Sequence, residues 1–454
     1  MSPTPPDDTI HRDPAQLTAT AAANAIRSGK VTSEELVTAC LARIAEREAD
    51  VQAFAFLDRD RALAEARAAD SVRKEGKGIG PLHGLPVGIK DIIDTADMPT
   101  ENGSEVFAGR RPEKDAACVT ALRSAGAIVL GKTVTTELAS LTPGKTRNPH
   151  NSAHTPGGSS SGSAAGIAAG FFPLALATQT GGSVIRPASF CGVYGIKPTF
   201  GLISRTGVLL QSHTLDTIGV YGRSVEDLAL ATDALSAQDT ADPVSYPRSR
   251  PDLLATARAD VPVPPLFAFV KTPAWDKHGD PRMHAAFAEL IEALGARVET
   301  LDIASLEAAT ASAATVQASE NLSYYGPLLE RAPGKLSKAL TERLNAGRSI
   351  DARTYINAVR DRDRAYSVIE EVLTNYTAIL TPASAGPAPA GLGSTGNPIF
   401  NAPWTYLGVP CVTLPLLEVD GLPLGVQLVG QRRDDGRLLR TARWLDGFVR
   451  GLDG

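Results

Sequence analysis

Gly157-Gly158-Ser159-Ser160-Ser161-Gly162-Ser163 runs directly into Ala164-Ala165-Gly166-Ile167-Ala168-Ala169. The chain then continues as Leu174-Ala175-Leu176-Ala177-Thr178-Gln179-Thr180-Gly181-Gly182-Ser183-Val184-Ile185-Arg186. A flexible Gly/Ser linker would not be followed at once by a helix-forming alanine run. Leu174–Thr178 reads as a short buried strand, an apolar run of the right length bounded by Pro173 and glycines. It delivers the chain into Thr180-Gly181-Gly182-Ser183, where glycines let backbone approach a ligand without a Cβ in the way. Such a turn presents N–H groups to an anion, with Ser183 beside them.

Working outward, short apolar runs alternate with helical patterns, which predicts an α/β layer fold. Strands are expected at Leu85–Ile92, Ala127–Leu130, Leu266–Lys271, Thr377–Leu380, Val412–Pro415 and Val426–Val429, besides Leu174–Thr178. Asp13 before Pro14 reads as a helix cap and first position, with Gly29 as the stop. Thr32-Ser33-Glu34-Glu35 reads as a capping box opening a helix to about Ala45. Further helices are expected at 58–74, 225–235, 283–294 and 355–373. Gly386–Asn397 is a loop rich in Gly, Pro, Ala and Ser, long enough to line a site.

Composition sets the background. The 454 residues are 43% hydrophobic and 21% charged, with net charge −5, so nothing electrostatic favours nucleic acid or an anionic membrane. The longest apolar stretch, Ala164–Ala177, is broken by Gly166, Gly170 and Pro173 and is too short to span a bilayer. Met1–Asp13 lacks the basic start and apolar run of a signal peptide. Cys40, Cys118, Cys191 and Cys411 lie far apart without a CxxC, which reads as free thiols in a reducing compartment. A cytoplasmic location is the expectation. No metal site is expected, and His150 and His154, lacking a carboxylate partner motif, read as loop contacts.

Gly158-Ser159-Ser160-Ser161-Gly162 also satisfies G-x-S-x-G, which would make Ser160 a nucleophile. That elbow needs a preceding strand and a late histidine. Asn148–Pro156 is polar with two prolines, and no histidine follows His284.

A different catalytic unit emerges when Lys90, in Leu85-Pro86-Val87-Gly88-Ile89-Lys90-Asp91, is set beside the two serine loops. The three stretches resemble the amidase signature family. Lys90 and Ser159 are 69 residues apart and Ser159 and Ser183 are 24 apart, both matching that family. Supporting matches are Gly131-Lys132-Thr133 with Thr136-Glu137, Thr146-Arg147-Asn148-Pro149-His150-Asn151, Cys191-Gly192, Gly195-Ile196-Lys197-Pro198 and Leu422–Leu428. The match is dense over 84–206 and looser elsewhere.

The resemblance implies a large central mixed β-sheet covered by α-helices on both faces, with no cofactor. It implies Ser183 as nucleophile, Ser159 as a bridging serine after a cis peptide bond, and Lys90 as base. Thr180, Gly181, Gly182 and Ser183 would form the oxyanion hole. A base lysine must be neutral, and its apolar neighbours Val87 and Ile89 supply the desolvation that lowers its pKa.

Many members carry Thr-Asp-Thr-Gly-Gly-Ser-Ile-Arg. Here Gln179 stands at the aspartate, and the arginine is displaced by one position to Arg186. This variant is similar to malonamidases, whose shifted arginine meets an acidic substrate group, so Arg186 and Gln179 are candidate substrate contacts with Ser160. Glutamyl-tRNA amidotransferase A subunits, which usually keep the aspartate, are a poorer match. Tyr324-Tyr325 with Trp404 and Tyr406 would serve either as an acyl-pocket wall or as core. The expected organisation is a flexible tail at 1–13 and one domain over 14–454, with a candidate substrate-side lobe at 261–374.

The activity implied is hydrolysis of linear amides through an acyl-enzyme. Carbamate-, anilide- or ester-selective hydrolysis is an alternative, and a non-catalytic or amidotransferase subunit is another. The partner is then a small-molecule amide or carbamate, and a homodimer is left open.

Overall fold

The computed structural model describes residues 13–249, 252–272 and 274–452. Of the tail expected at 1–13, all but Asp13 lies outside the described residues. Among the described residues eleven strands form one sheet: β1 (Phe54–Leu57), β2 (Pro86–Lys90), β3 (Ile128–Thr133), β4 (Leu174–Gln179), β5 (Tyr194–Lys197), β6 (Thr217–Gly222), β7 (Phe267–Lys271), β8 (Val298–Asp302), β9 (Ala378–Pro382), β10 (Cys411–Val419) and β11 (Leu422–Val429). Their spatial order is β1-β3-β2-β4-β6-β5-β10-β11-β9-β7-β8. The sheet is mixed. β3, β2 and β4 are parallel to one another, β9, β7 and β8 likewise, and the strands between these blocks pair antiparallel. Helices cover both faces.

All seven strands expected from the sequence are present, with ends shifted by a few residues. Four strands have no counterpart among those expectations: β1, β5, β6 and β8. β1 and β8 are edge strands, and β8 is half-buried to exposed along its length. β5 and β6 are fully buried but interrupted by Gly195 and Gly219, which dilutes the apolar signal.

Helix ends follow the local chemistry. Thr32 and Glu35 make both bonds of a capping box, and that helix continues to Val51, beyond the expected end. Asp13 caps only a short 3-10 turn at Pro14–Gln16. Thr18 then caps a separate helix, Ala19–Ser28, which Gly29 ends in the left-handed region at φ 75°.

Side chains alternate across the sheet. Val87, Ile89, Leu174, Leu176, Ile218 and Val220 join a continuous apolar cluster on one face. The other face holds two separate clusters. Helices Ser161–Ala169 and Ile185–Cys191 are buried almost throughout. That burial explains why neither sequence shows a polar stripe.

The helix Ile185–Cys191 sits close to the sheet because glycines face it. A Cβ on Gly219 would lie 2.6 Å from both Val184 Cγ2 and Ile196 O, and one on Gly195 would lie 2.9 Å from Ala188 Cβ. Ile196 O belongs to the neighbouring strand and cannot yield. Gly219→Ala is therefore expected to destabilise the fold by about 1–3 kcal/mol, read as a lower urea midpoint at unchanged m-value. A wild-type midpoint would contradict this packing account.

Candidate active site

Lys90 ends β2, which pairs in parallel with β4 through Val87, Gly88 and Ile89. The side chain is completely buried. Its Nζ lies 2.7 Å from Ser159 Oγ and 2.8 Å from Thr178 Oγ1. The Gly158–Ser159 peptide bond is cis. Burial holds the Lys90 amine well below the ordinary lysine range, opposed by the charge of Asp216.

Lys132 and Lys197 are equally buried, so burial alone does not single Lys90 out. The partners do. Lys132 donates to Ile93 O at 2.8 Å and to the Thr100 hydroxyl but lies 3.5 Å from the Asp91 carboxylate, and Lys197 donates to the carbonyls of Val409 and Pro198. Carbonyls and carboxylates only accept, which suits an ammonium. Hydroxyls both donate and accept, so the Lys90 pocket also suits a neutral amine.

Ser183 stands in the turn between β4 and the helix Ile185–Cys191. It is 9% exposed, against 0% for Lys90 and 2% for Ser159, so it is the member of the three open to an incoming group. The N–H groups of Gly181, Gly182 and Ser183 make no hydrogen bond among the described residues. Three unpaired donors in one glycine turn, at the start of a helix, are a donor set of the kind that suits developing negative charge. The Ser183 hydroxyl likewise has no hydrogen-bond partner among the described residues. The Lys90–Ser159 link is thus formed, while the Ser159–Ser183 link is not drawn to hydrogen-bonding distance. Such contacts are often long without substrate.

The turn is fixed from three sides. Gln179 Oε1 accepts from Val184 N at 2.8 Å and Ile185 N at 3.0 Å, capping the helix that no residue of its own caps. Its Nε2 reaches Thr405 Oγ1 at 2.9 Å, and that hydroxyl donates to Gly181 O at 2.7 Å. Thr180 Oγ1 donates to Asp216, a buried carboxylate raised to about 6 by burial although Gln211 N and Ser212 N also donate to it. Arg186 braces the rear: Nε donates to Thr395 O and Nη2 to Gly158 O, each at 2.7 Å. The arginine after Ser183 therefore holds the residue before Ser159.

Several expectations change here. Gln179 has no exposed surface and spends its side chain on capping the helix. Ser160 is also fully buried. Its hydroxyl bonds Thr178 N at 3.3 Å and Thr178 O at 3.2 Å, tying the serine loop to β4. Trp404 is wholly enclosed in an apolar cluster with Ile185 and Leu407, which makes it core rather than pocket wall. Tyr325 and Tyr406 are buried too, while Tyr324 is 38% exposed beside His213. Arg186 is buried, and burial lowers its guanidinium to about 10. Two of its nitrogens serve the loops, and Nη1 is left without a partner among the described residues.

His150 and His154 contact the carbonyls of Cys191 and Ala388, as loop residues do. Among the described residues no group of three or more His, Cys, Asp or Glu side chains is arranged to hold a metal ion, and no helix is long and apolar enough to cross a membrane.

The sequence reading missed Thr178, Asp216 and Thr405, whose roles depend on distant strands and helices meeting. It also missed Leu138 and Ala139, consecutive residues at φ 47° and 54°. Thr136 N, just before them, bonds Ser159 O at 3.2 Å. Left-handed non-glycine residues gather where surrounding structure forces the chain, often at functional sites.

A family model described as Amidase matches residues 35–439. The glutamyl-tRNA(Gln) amidotransferase A subunit of Chloroflexus aggregans is 34% identical, with 96% of each chain covered. Among solved structures, the native peptide amidase of Stenotrophomonas maltophilia is 30% identical with a TM-score of 0.79, covering 96% of this chain and 97% of its own. A chain from a vestigial protein complex, described as revealing the origins of an s-triazine catabolic enzyme, is 29% identical. Its TM-score is 0.88, and 96% of this chain and 99% of that one are covered. A match over most of the length, on the fold and loops described above, places this chain in the amidase family.

Proposed function

We propose that the chain hydrolyses linear amide C–N bonds through Ser183, Ser159 and Lys90. The observation that carries the proposal is the buried Lys90 amine, 2.7 Å from Ser159 Oγ and, among the described residues, bound only to hydroxyls. Neutral Lys90 accepts a proton from Ser159, which takes one from Ser183 as Ser183 Oγ attacks the carbonyl carbon. The oxyanion is met by the N–H groups of Gly181, Gly182 and Ser183. The proton returns along the same path to the departing nitrogen, leaving an acyl-enzyme and a free amine or ammonia. Water, deprotonated by the same relay, then releases the acid. Carbamates and activated esters offer the same carbonyl and are the alternative substrates.

A second reading concerns setting. The curated relatives at 31–34% identity are A subunits of glutamyl-tRNA(Gln) amidotransferase. They favour a role as the amide-hydrolysing subunit of a larger assembly over a free-standing enzyme. That outweighs the malonamidase-like turn, all the more because Gln179 and Arg186 are occupied in holding loops.

The test is release of ammonia or amine by the purified chain from aryl amides, aliphatic amides, glutamine, malonamate-like acids and carbamates. Ser183→Ala is expected to abolish turnover, and Lys90→Ala to leave less than about a tenth of it, because relay members act as a unit. Lys90→Ala above that level would overturn the relay. Turnover by the chain alone favours the free-standing enzyme, and turnover only with a co-purified partner favours the subunit.

Arg186 gives a separate expectation. As a brace between Gly158 and Thr395, its loss in Arg186→Ala should lower kcat for neutral and anionic amides alike. It should also reduce unfolding stability by about 1–3 kcal/mol. A rise in KM confined to anionic substrates would instead assign it to carboxylate recognition.

A further inference from the structure

A cleft of 370 Å³ lies among the turn after β5, the helix Ala352–Asn375 and the segment after β11. None of its lining residues belongs to the Lys90–Ser183 site. Its charge is one-sided. Arg362, Arg432 and Arg433 line it against a single carboxylate, Asp363, which is largely exposed and bonds Arg432 Nη1 at 3.0 Å. Asp435, buried behind the wall, is occupied by Thr199 N at 2.8 Å and Thr199 Oγ1 at 2.6 Å.

The guanidinium groups are anchored from behind. Arg362 Nη1 donates to Thr214 O at 3.1 Å, and the group lies 4.9 Å from the Phe200 ring centre. Arg432 Nε donates to Leu407 O at 2.7 Å, and its guanidinium stacks 3.8 Å from the Tyr366 ring centre. Arg433 lies over Tyr246 at 4.4 Å.

These anchors leave donors over. Arg362 Nη2 and the Arg433 guanidinium make no hydrogen bond among the described residues. Burial, and next the charge of Arg432, hold Arg362 down to about 10. The backbone accommodates the cluster: a Cβ at Gly408 would lie 2.3 Å from Arg362 Nη2, and Arg433 itself adopts φ 67°, uncommon for a residue other than glycine. Crowded cations with little counter-charge are costly unless an anion completes them.

We propose that this cleft binds a phosphate dianion, free or as a phosphomonoester. The two-charge excess of arginine over carboxylate matches a dianion, and planar guanidinium groups suit phosphate oxygens. The volume also admits an ester the size of a nucleotide.

The test is thermal unfolding of the full chain in sodium phosphate against sodium chloride at matched ionic strength, above the second phosphate pKa of about 6. Adenosine monophosphate and adenosine serve as further arms. Phosphate is expected to raise Tm saturably, as a ligand of the folded state does. Arg432→Gln with Arg433→Gln should weaken phosphate about tenfold or more. The exposed Arg282→Gln should leave the response intact. Should the double variant fail to fold in chloride, Arg433→Gln alone replaces it, because among the described residues that guanidinium is held only by ring stacking. A larger response to the nucleotide than to phosphate identifies an ester as the ligand, and equal responses identify the free anion; both support the proposal. Equal Tm in phosphate and chloride, a response to adenosine matching that to its monophosphate, or an unchanged response in the variant would overturn it.

Discussion

Placing an amine in the middle of a β-sheet with only two hydroxyls for company is the constraint from which the rest of the site follows. An ammonium there would lose its hydration and gain no counter-charge in contact, so the neutral form is favoured. To keep water away, Val87 and Ile89 must be buried on one face, and the helices Ser161–Ala169 and Ile185–Cys191 must close the other. That second face allows close approach through glycine. Phe172 meets both Gly88 and Gly166, at 2.6 and 2.2 Å from where their Cβ atoms would be. Packing and chemistry are therefore the same requirement at this point of the chain.

The glycine turn bearing Ser183 depends on a different kind of support. Its donors are useful only if they are unpaired yet immobile. The chain achieves this by pairing everything around them: Gln179 with the helix start, Thr405 with Gly181 O, Thr180 with Asp216, and Arg186 with Gly158 O. These supports come from β4, from the loop before β6 and from the helices Ile185–Cys191 and Ala402–Leu407. Around the turn, these polar groups are paired while the N–H groups of Gly181, Gly182 and Ser183 are not. Gln179 shows how a residue change is absorbed, since an amide can cap a helix and reach Thr405 at once.

What the sequence made legible was local chemistry with fixed spacing. Lys90, Ser159 and the Thr180–Ser183 turn could be found because a buried lysine, a Gly/Ser loop and a Gly-Gly-Ser turn each need particular residues in order. The capping box at Thr32 and the strands with uninterrupted apolar runs were legible for the same reason. Glycine-interrupted β5 and β6 were not, because their burial is set by neighbours rather than by pattern. Thr178 and Asp216 were not, because an isolated threonine or aspartate acquires its meaning only when strands 88 residues apart, or a loop 36 residues on, come into contact. Trp404 was open to two readings for a complementary reason: an aromatic side chain fills a core or a pocket equally well, and only its enclosure decides.

The central claim is that Lys90 is a neutral amine when the protein works. Heteronuclear NMR of lysine side chains, with the Lys90 resonance assigned by its disappearance in Lys90→Arg, measures this directly. A group whose folded-state pKa is depressed by burial should bind its proton only as pH falls through that lowered value, and should be neutral above it. The account predicts that Lys90 loses its proton well below the ordinary lysine value of about 10.4, while Lys132, beside Asp91, holds its proton to about 8. A Lys90 resonance that stays in the ammonium form up to the ordinary lysine value would contradict it.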